Sequence, residues 1–154
     1  MSIFTSLNTT SSALTAQRLR MDVISSNMAN ADTTRATVNE NGEWEPYRRK
    51  SVVMQSKEAG FSSFLQTAVN KSDQNSVGQG VNVTRIKEDE KTPFKMAYDP
   101  EHPDANEDGY VLLPNVDPLR EMVDLISATR SYEANVTVFN ANKSILMKSL
   151  EIGK

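Results

Sequence analysis

The chain has 154 residues, of which 38% are hydrophobic, 6% aromatic and 24% charged, with a net charge of −3. That length suits one ordinary domain or a small domain with extensions, and so few aromatics argue against a thick core. The absence of cysteine excludes disulfides and thiolate zinc sites, one histidine removes most hydrolase and zinc-enzyme schemes that need a pair, and the mildly acidic balance argues against nucleic acid, which needs a basic face.

The N-terminal stretch MSIFTSLNTTSSALTAQ has no basic residue before Arg18 and no continuous apolar centre, so it does not read as a Sec-type signal. No later run approaches the ~18 apolar residues of a membrane span. From Leu14 to Ala31 the apolar residues Leu14, Met21, Ile24, Met28 and Ala31 recur at helical spacing. Leu7 extends the stripe through a Ser/Thr-rich stretch that is marginal as an isolated helix. The opposite side carries Ala13, Ala16, Leu19 and Val23, and a helix apolar on two sides expects more than one neighbour.

After Asn30 the helical pattern stops. Asn41-Gly42, between Val38 and Trp44, is a strong short hairpin signal. Tyr47–Met54 reads as a strand, and the basic cluster Arg48-Arg49-Lys50 within it, flanked by Glu43 and Glu45, reads as a solvated strand face. Phe61, Phe64, Leu65, Ala68 and Val69 suit two helical turns, and residues 70–80 are loop-like. Val81–Ile86 alternates with period two. Residues 87–118 hold five of the six prolines, which predicts extended chain with short strands at Phe94–Tyr98 and Tyr110–Leu113.

Asp117-Pro118 opens a second helix, with Asp as N-cap and Pro at the first helical position. Met122, Leu125, Thr129, Tyr132, Val136, Phe139, Lys143, Leu146 and Leu150 then follow at 3-4 spacing, a heptad seam sustained over four repeats. Lys148 and Gly153 supply the stop signal, and Pro118–Glu151 corresponds to about 50 Å of helix. Within it, residues 131–144 (SYEANVTVFNANKS) are poor helix formers, because Asn bonds back to its own backbone and β-branched residues lose χ1 freedom. A helix this long needs a partner along its length. The N-terminal helix is the obvious one, but residues 1–31 cannot cover both of its sides. Asn135, Asn142 and Lys143 then suit polar contacts to other subunits that fix register.

The chain therefore reads as α+β: long N- and C-terminal helices pairing as a coiled-coil-like hairpin, with a small, irregular, β-rich middle. The expected divisions are residues 1–35, 36–115 and 116–154. The packing residues are Leu14, Met21, Ile24, Met28 and Asn30 on the first helix, and Met122, Leu125, Tyr132, Asn135, Val136, Phe139, Leu146 and Leu150 on the second.

Catalytic chemistry finds little support. Asp104-Ala105-Asn106-Glu107-Asp108-Gly109 matches the first six positions of an EF-hand loop, but the twelfth position is Asn115, where a bidentate Glu is needed, and prolines interrupt the flanks. His102, between Glu101 and Pro103, lacks a second His or a nucleophile and reads as a turn residue. No cofactor or metal is implied. The non-catalytic alternatives are a calcium-binding adaptor and a chaperone-like helical hairpin.

ALTAQRLRMDVISSNMANADTTR (13–35) resembles the N-terminal signature of the bacterial flagellar axial proteins, the rod and hook family. The match lies in Gln17-Arg18 and in Asn27-x-Ala29-Asn30-Ala31-x-Thr33. Thr34-Arg35-Ala36 stands where the family usually has Gly and an aromatic, as suits its shorter rod members. YRRKSVV (47–53), YDPEHPDANEDGYV (98–111) and the forty residues from Asn115 to Lys154 extend the resemblance over nearly the whole chain. The resemblance implies a structural subunit of the proximal rod, exported unfolded by the flagellar type III apparatus into the cell envelope. It also implies that paired terminal helices form the inner tube of a hollow drive shaft and the middle segment its outer layer. The implied partners are other rod proteins, the basal-body rings and export apparatus, and copies of itself, with no nucleic acid and no membrane insertion.

Overall fold

The computed structural model describes residues 3–40, 42–57 and 80–153. The element order is α1 (Ile3–Ala29), β1 (Thr37–Val38), β2 (Trp44–Glu45), β3 (Lys50–Ser56), β4 (Val81–Glu88), β5 (Lys95–Tyr98), β6 (Tyr110–Leu113) and α2 (Pro118–Ile152). Three two-stranded sheets pair β1 with β2, β3 with β4 and β5 with β6. The α+β architecture of two long terminal helices packing together, with a small sheet-containing middle, is the one expected.

Helix α1 begins at Ile3, well before Leu14, and the Ser/Thr-rich stretch is helical throughout. Its hydroxyls explain how: Thr9, Thr10, Ser12 and Thr15 donate to the carbonyls of Thr5, Ser6, Thr9 and Ser11. Such back-bonding satisfies a hydroxyl without a tertiary partner, though it adds little to helix stability. The helix ends where Asn30 Nδ2 donates to Ser26 O and Thr33 Oγ1 donates to Asn30 Oδ1, an Asn-centred stop that needs no glycine.

The first hairpin forms between Val38 and Trp44, with Val38 opposite Trp44 and Thr37 opposite Glu45. Gly42 takes a left-handed φ of 85° there, as the Asn-Gly signal requires; Asn41 itself lies outside the described residues. So do the two helical turns expected over Phe61–Val69 and all but the end of the expected 70–80 loop. Strand β3 starts at Lys50, later than Tyr47, because the backbone N–H groups before it are claimed outside the sheet, that of Tyr47 by Thr33 O and that of Arg49 by Asn115 Oδ1. In the third sheet Lys95 lies opposite Leu113 and Tyr98 opposite Tyr110. The turn between these strands closes on Gly109, at φ 80°, where a Cβ would stand 3.0 Å from the Tyr98 ring.

Asp117 caps α2 as expected: its carboxylate accepts from Leu119 N–H at 3.1 Å and its carbonyl from Glu121 N–H at 3.0 Å. Among the described residues no helix is long and apolar enough to cross a membrane.

The chain divides into two compact units, each drawing on both helices. The helical unit comprises Met1–Leu19, Val53–Arg85 and Thr129–Lys154; the clasp unit comprises Arg20–Val52 and Ile86–Ala128. In the clasp unit Val23, Ile24, Tyr47, Val111, Val116 and Ala128 form the apolar core, with Pro46 and Pro114 fully buried beside them. Among the described residues of the helical unit the buried ones are Thr10 and Ala16.

Candidate functional site

Two features stand out: a buried polar clasp that fixes the helices, and apolar helix surface left uncovered. The clasp centres on Asn27 and Glu121, both 0% exposed. Asn27 sits near the end of α1 and turns its amide onto the backbone of Lys50. Its Oδ1 accepts from Lys50 N–H at 2.9 Å and its Nδ2 donates to Lys50 O at 2.8 Å, the two-point pairing that a neighbouring strand residue would make. The same amide accepts from Tyr47 OH at 3.1 Å and donates to Glu121 Oε2 at 3.0 Å. All four hydrogen-bonding positions of the side chain are used. The axial-family signature thus has a physical reason at this position, since a carboxamide supplies two donor and two acceptor positions at once.

Glu121 comes from the first turn of α2. Its Oε1 accepts from Arg49 Nε at 2.5 Å, and Arg49 reaches on to Asp124 at 3.2 Å. Arg20 on α1 faces the other oxygen of Asp124 at 3.7 Å. Two cations therefore balance two carboxylates, so that a buried charge is paired and hydrogen-bonded as burial demands. Asn115 completes the arrangement: its Oδ1 accepts from Arg49 N–H and its Nδ2 donates to the carbonyls of Asp89 and Thr92.

The reading of Arg48-Arg49-Lys50 as a solvated face is corrected here. Arg49 crosses to α2 and enters the clasp, Arg48 lies 4.5 Å over the Phe94 ring, and Lys50 pairs with Glu88 at 3.5 Å. Sequence offered no way to see this, because the acids that claim Arg49 lie over seventy residues away.

The calcium-loop-like turn is held by other bonds. Asp104 accepts from Arg35 Nε at 2.6 Å and from Thr34 Oγ1 at 2.8 Å. Asn106 Oδ1 accepts from the N–H groups of Asp108 and Tyr110, and His102 Nδ1 accepts from Asp104 N–H. The Arg35 hydrogen bond, then that of Thr34, holds the Asp104 carboxyl below the usual aspartate range. The motif is a turn tied to the chain that follows α1.

The expected packing residues are placed unevenly. On α1, Ile24 is buried and Leu14, Met21 and Met28 are half-buried, as is Asn30 just beyond its end. On α2, Leu125, Tyr132, Asn135, Val136, Phe139 and Leu146 are half-buried, while Met122 and Leu150 are exposed. Between the helices the fully buried α2 positions are Glu121 and Ala128, one residue before Met122 and Thr129. A heptad stripe drifts about 20° per repeat around a straight helix. The seam therefore begins beside the covered face and comes round onto it by Phe139 and Leu146.

Asn135 Nδ2 donates to Ser131 O of its own helix, and Asn142 Nδ2 donates to Ser6 Oγ of α1 at 2.8 Å.

What the sequence reading missed is the far side of α2. Leu119, Val123 and Ile126 are exposed in the clasp unit, and Val138, Ile145 and Ile152 in the helical unit. Spacings of three, four and seven put each set along one side of the helix, away from Glu121 and Ala128. The signal was available as a second apolar phase beneath the more regular heptad.

The family described as Flagella basal body rod protein matches residues 7–37, and that described as Flagellar basal body rod FlgEFG protein C-terminal matches residues 107–152. The chain is 61% identical to the flagellar basal-body rod protein FlgC of Bacillus subtilis (strain 168), over the full length of both. It is 44% identical to the protein of the same name from Borreliella burgdorferi, covering 99% of this chain and 98% of the relative. For that of Escherichia coli O157:H7 the identity is 41%, covering 93% and 92%.

Proposed function

The chain belongs to the flagellar basal-body rod proteins, and from that premise we propose that it is a structural subunit of the bacterial flagellar rod. It polymerises through its terminal helices into the axial shaft, beside other rod proteins and copies of itself. The observation that carries this reading is the uncovered apolar side of α2. Leu119 is 75% exposed and Ile152 85% exposed, and side chains of this kind each gain about 1.5–3 kcal/mol when fully buried. A helix that leaves such a side open along its length is fitted for neighbours. The clasp supports the same reading, since within its own unit it ties the end of α1 to the start of α2 without any contribution from a partner.

The route to the rod is export by the flagellar type III apparatus. Residues 1–31 come first in the chain and hold most of the axial signature, so export information belongs to that end. Residues 138–154 hold Phe139, Leu146 and Leu150 and belong to assembly. Fractionation of tagged chains tests the division. The full chain is expected in purified basal bodies, and a chain ending at Thr137 is expected to leave the cytosol without being retained in the rod. A full chain found only in the cytosol with other proteins would favour a chaperone instead. Truncated chains built into basal bodies at the full-length level would remove the assembly role of this helix.

A further inference from the structure

The solvent side of the β5–β6 hairpin is apolar where a small surface hairpin is expected to be polar. Its register sets Met96 opposite Leu112 and Tyr98 opposite Tyr110, so these four side chains share one face and Ala97 and Val111 the other. Val111 is 2% exposed, whereas Met96 is 71% and Tyr98 67% exposed. Trp44, also exposed, lines a cleft of about 320 Å³ with Tyr110 and Leu112. The connecting turn rims this face with carboxylates. Asp99, Glu101, Glu107 and Asp108 are all exposed, and among the described residues the acid of this turn paired with an arginine is Asp104.

The same unit carries a surface of opposite character. On the first turns of α2, Leu119, Val123 and Ile126 are exposed, and Arg120 flanks them. Among the described residues Arg120 makes no ion pair, while Asp124 faces Arg20 and Arg49. The positive end of the helix dipole lies at this turn as well. One surface is apolar and acid-rimmed, the other apolar and cationic. Neither suits itself, since self-pairing of the hairpin face would set carboxylates against carboxylates.

We propose that the β5–β6 face and Trp44 cleft of one copy seat the Leu119–Ile126 stripe of a second copy, with Arg120 against the acidic turn. The contact joins two different surfaces and is therefore heterologous, so its repetition gives a ring or a helix rather than a closed pair. This inference rests on the rod reading above and adds to it the two surfaces by which like subunits meet.

The absence of cysteine from the chain makes the test direct. Tyr98→Cys and Val123→Cys are expressed as separate tagged chains in one cell, basal bodies are purified, and dimers are sought after mild oxidation and after a short bismaleimide. A second pair, Leu112→Cys with Ile126→Cys, guards against one unfavourable Cβ geometry. Dimers are expected when both chains of a pair are present and not from either chain alone. Arg120→Glu in the Val123→Cys chain should reduce the dimer yield severalfold, and Glu107→Arg in the other chain should restore it. Both chains present in basal bodies without dimers from either pair would overturn the inference and leave the rod reading standing. So would dimers from Tyr98→Cys alone, which would mean self-pairing. Chains missing from basal bodies altogether would overturn both.

Discussion

The clasp unit and the helical unit are built from the same two helices, yet they are stabilised in different ways. Apart from Thr10 and Ala16, every buried side chain among the described residues belongs to the clasp unit. There, hydrogen bonds link residues twenty to ninety-four positions apart, and an ion pair ties Arg49, just before β3, to the buried Glu121 of α2. In the helical unit most side-chain bonds return to the same helix: Thr10 to Ser6, Asn135 to Ser131, Thr137 to Glu133, Ser144 to Asn140. Cross-links between distant segments beat chain entropy by closing the fold, whereas local bonds satisfy polar groups without choosing a partner. One unit is closed by cross-links of its own, and the other, among the described residues, is held mainly by local bonds.

Hydrogen exchange on the isolated monomer should show the largest contrast. Amides of α1 before Leu19 and of α2 after Thr129 are expected to open at free energies near zero, while those of 20–29 and 118–128 approach the global value. Equal, strong protection of both sets would break the comparison, since the helical unit would then need no partner.

Next in size is Arg49→Met. It leaves the Glu121 carboxylate buried without its cation and should cost about 3–5 kcal/mol, read as a fall in the urea midpoint of the monomer. A loss below about 1 kcal/mol would mean that the clasp is not what closes the unit.

Asn27→Ala and Asn142→Ala sharpen the contrast at a smaller scale. The first orphans Lys50 N–H and O in a buried setting and should cost about 2 kcal/mol. The second loses one exposed bond to Ser6 and should stay within about 0.5 kcal/mol. Equal effects would erase the distinction between the two asparagines.

The smallest effect concerns acid. The Asp104 carboxyl is held below its ordinary value, chiefly by Arg35, so its contribution is present above the unfolded value of about 3.9 and is lost as pH falls through the folded one. The 99–109 turn should therefore loosen below about pH 4, visible as sharpened resonances of Ala105 and Asn106. Asp104→Asn should show that loosening already at pH 7 and little further change on acidification.

Much of the frame was legible in the sequence because it is local. The Asp117-Pro118 start and the Val38–Trp44 turn follow from backbone chemistry within a few residues. So do the strands expected at 81–86 and 110–113, and the long periodicity from Met122 to Leu150. The Ser/Thr-rich start of α1 was underestimated because propensity treats its hydroxyls as competitors of the helix, while here they bond to carbonyls already inside it. The helix-poor stretch at 131–144 behaves likewise: Asn135, Thr137 and Ser144 each bond back along the helix, and Asn142 reaches Ser6.

Composition and periodicity by themselves determined that two long helices flank a thin β-rich middle. Only the tertiary structure decided that Asn27 pairs with Lys50, that Arg49 leaves its basic cluster for Glu121, and which side of α2 stays open. Each of those outcomes depends on residues brought together from far along the chain. Pairing at that range is set by how segments exclude water and satisfy buried polar groups together, and no window of neighbouring residues contains that information.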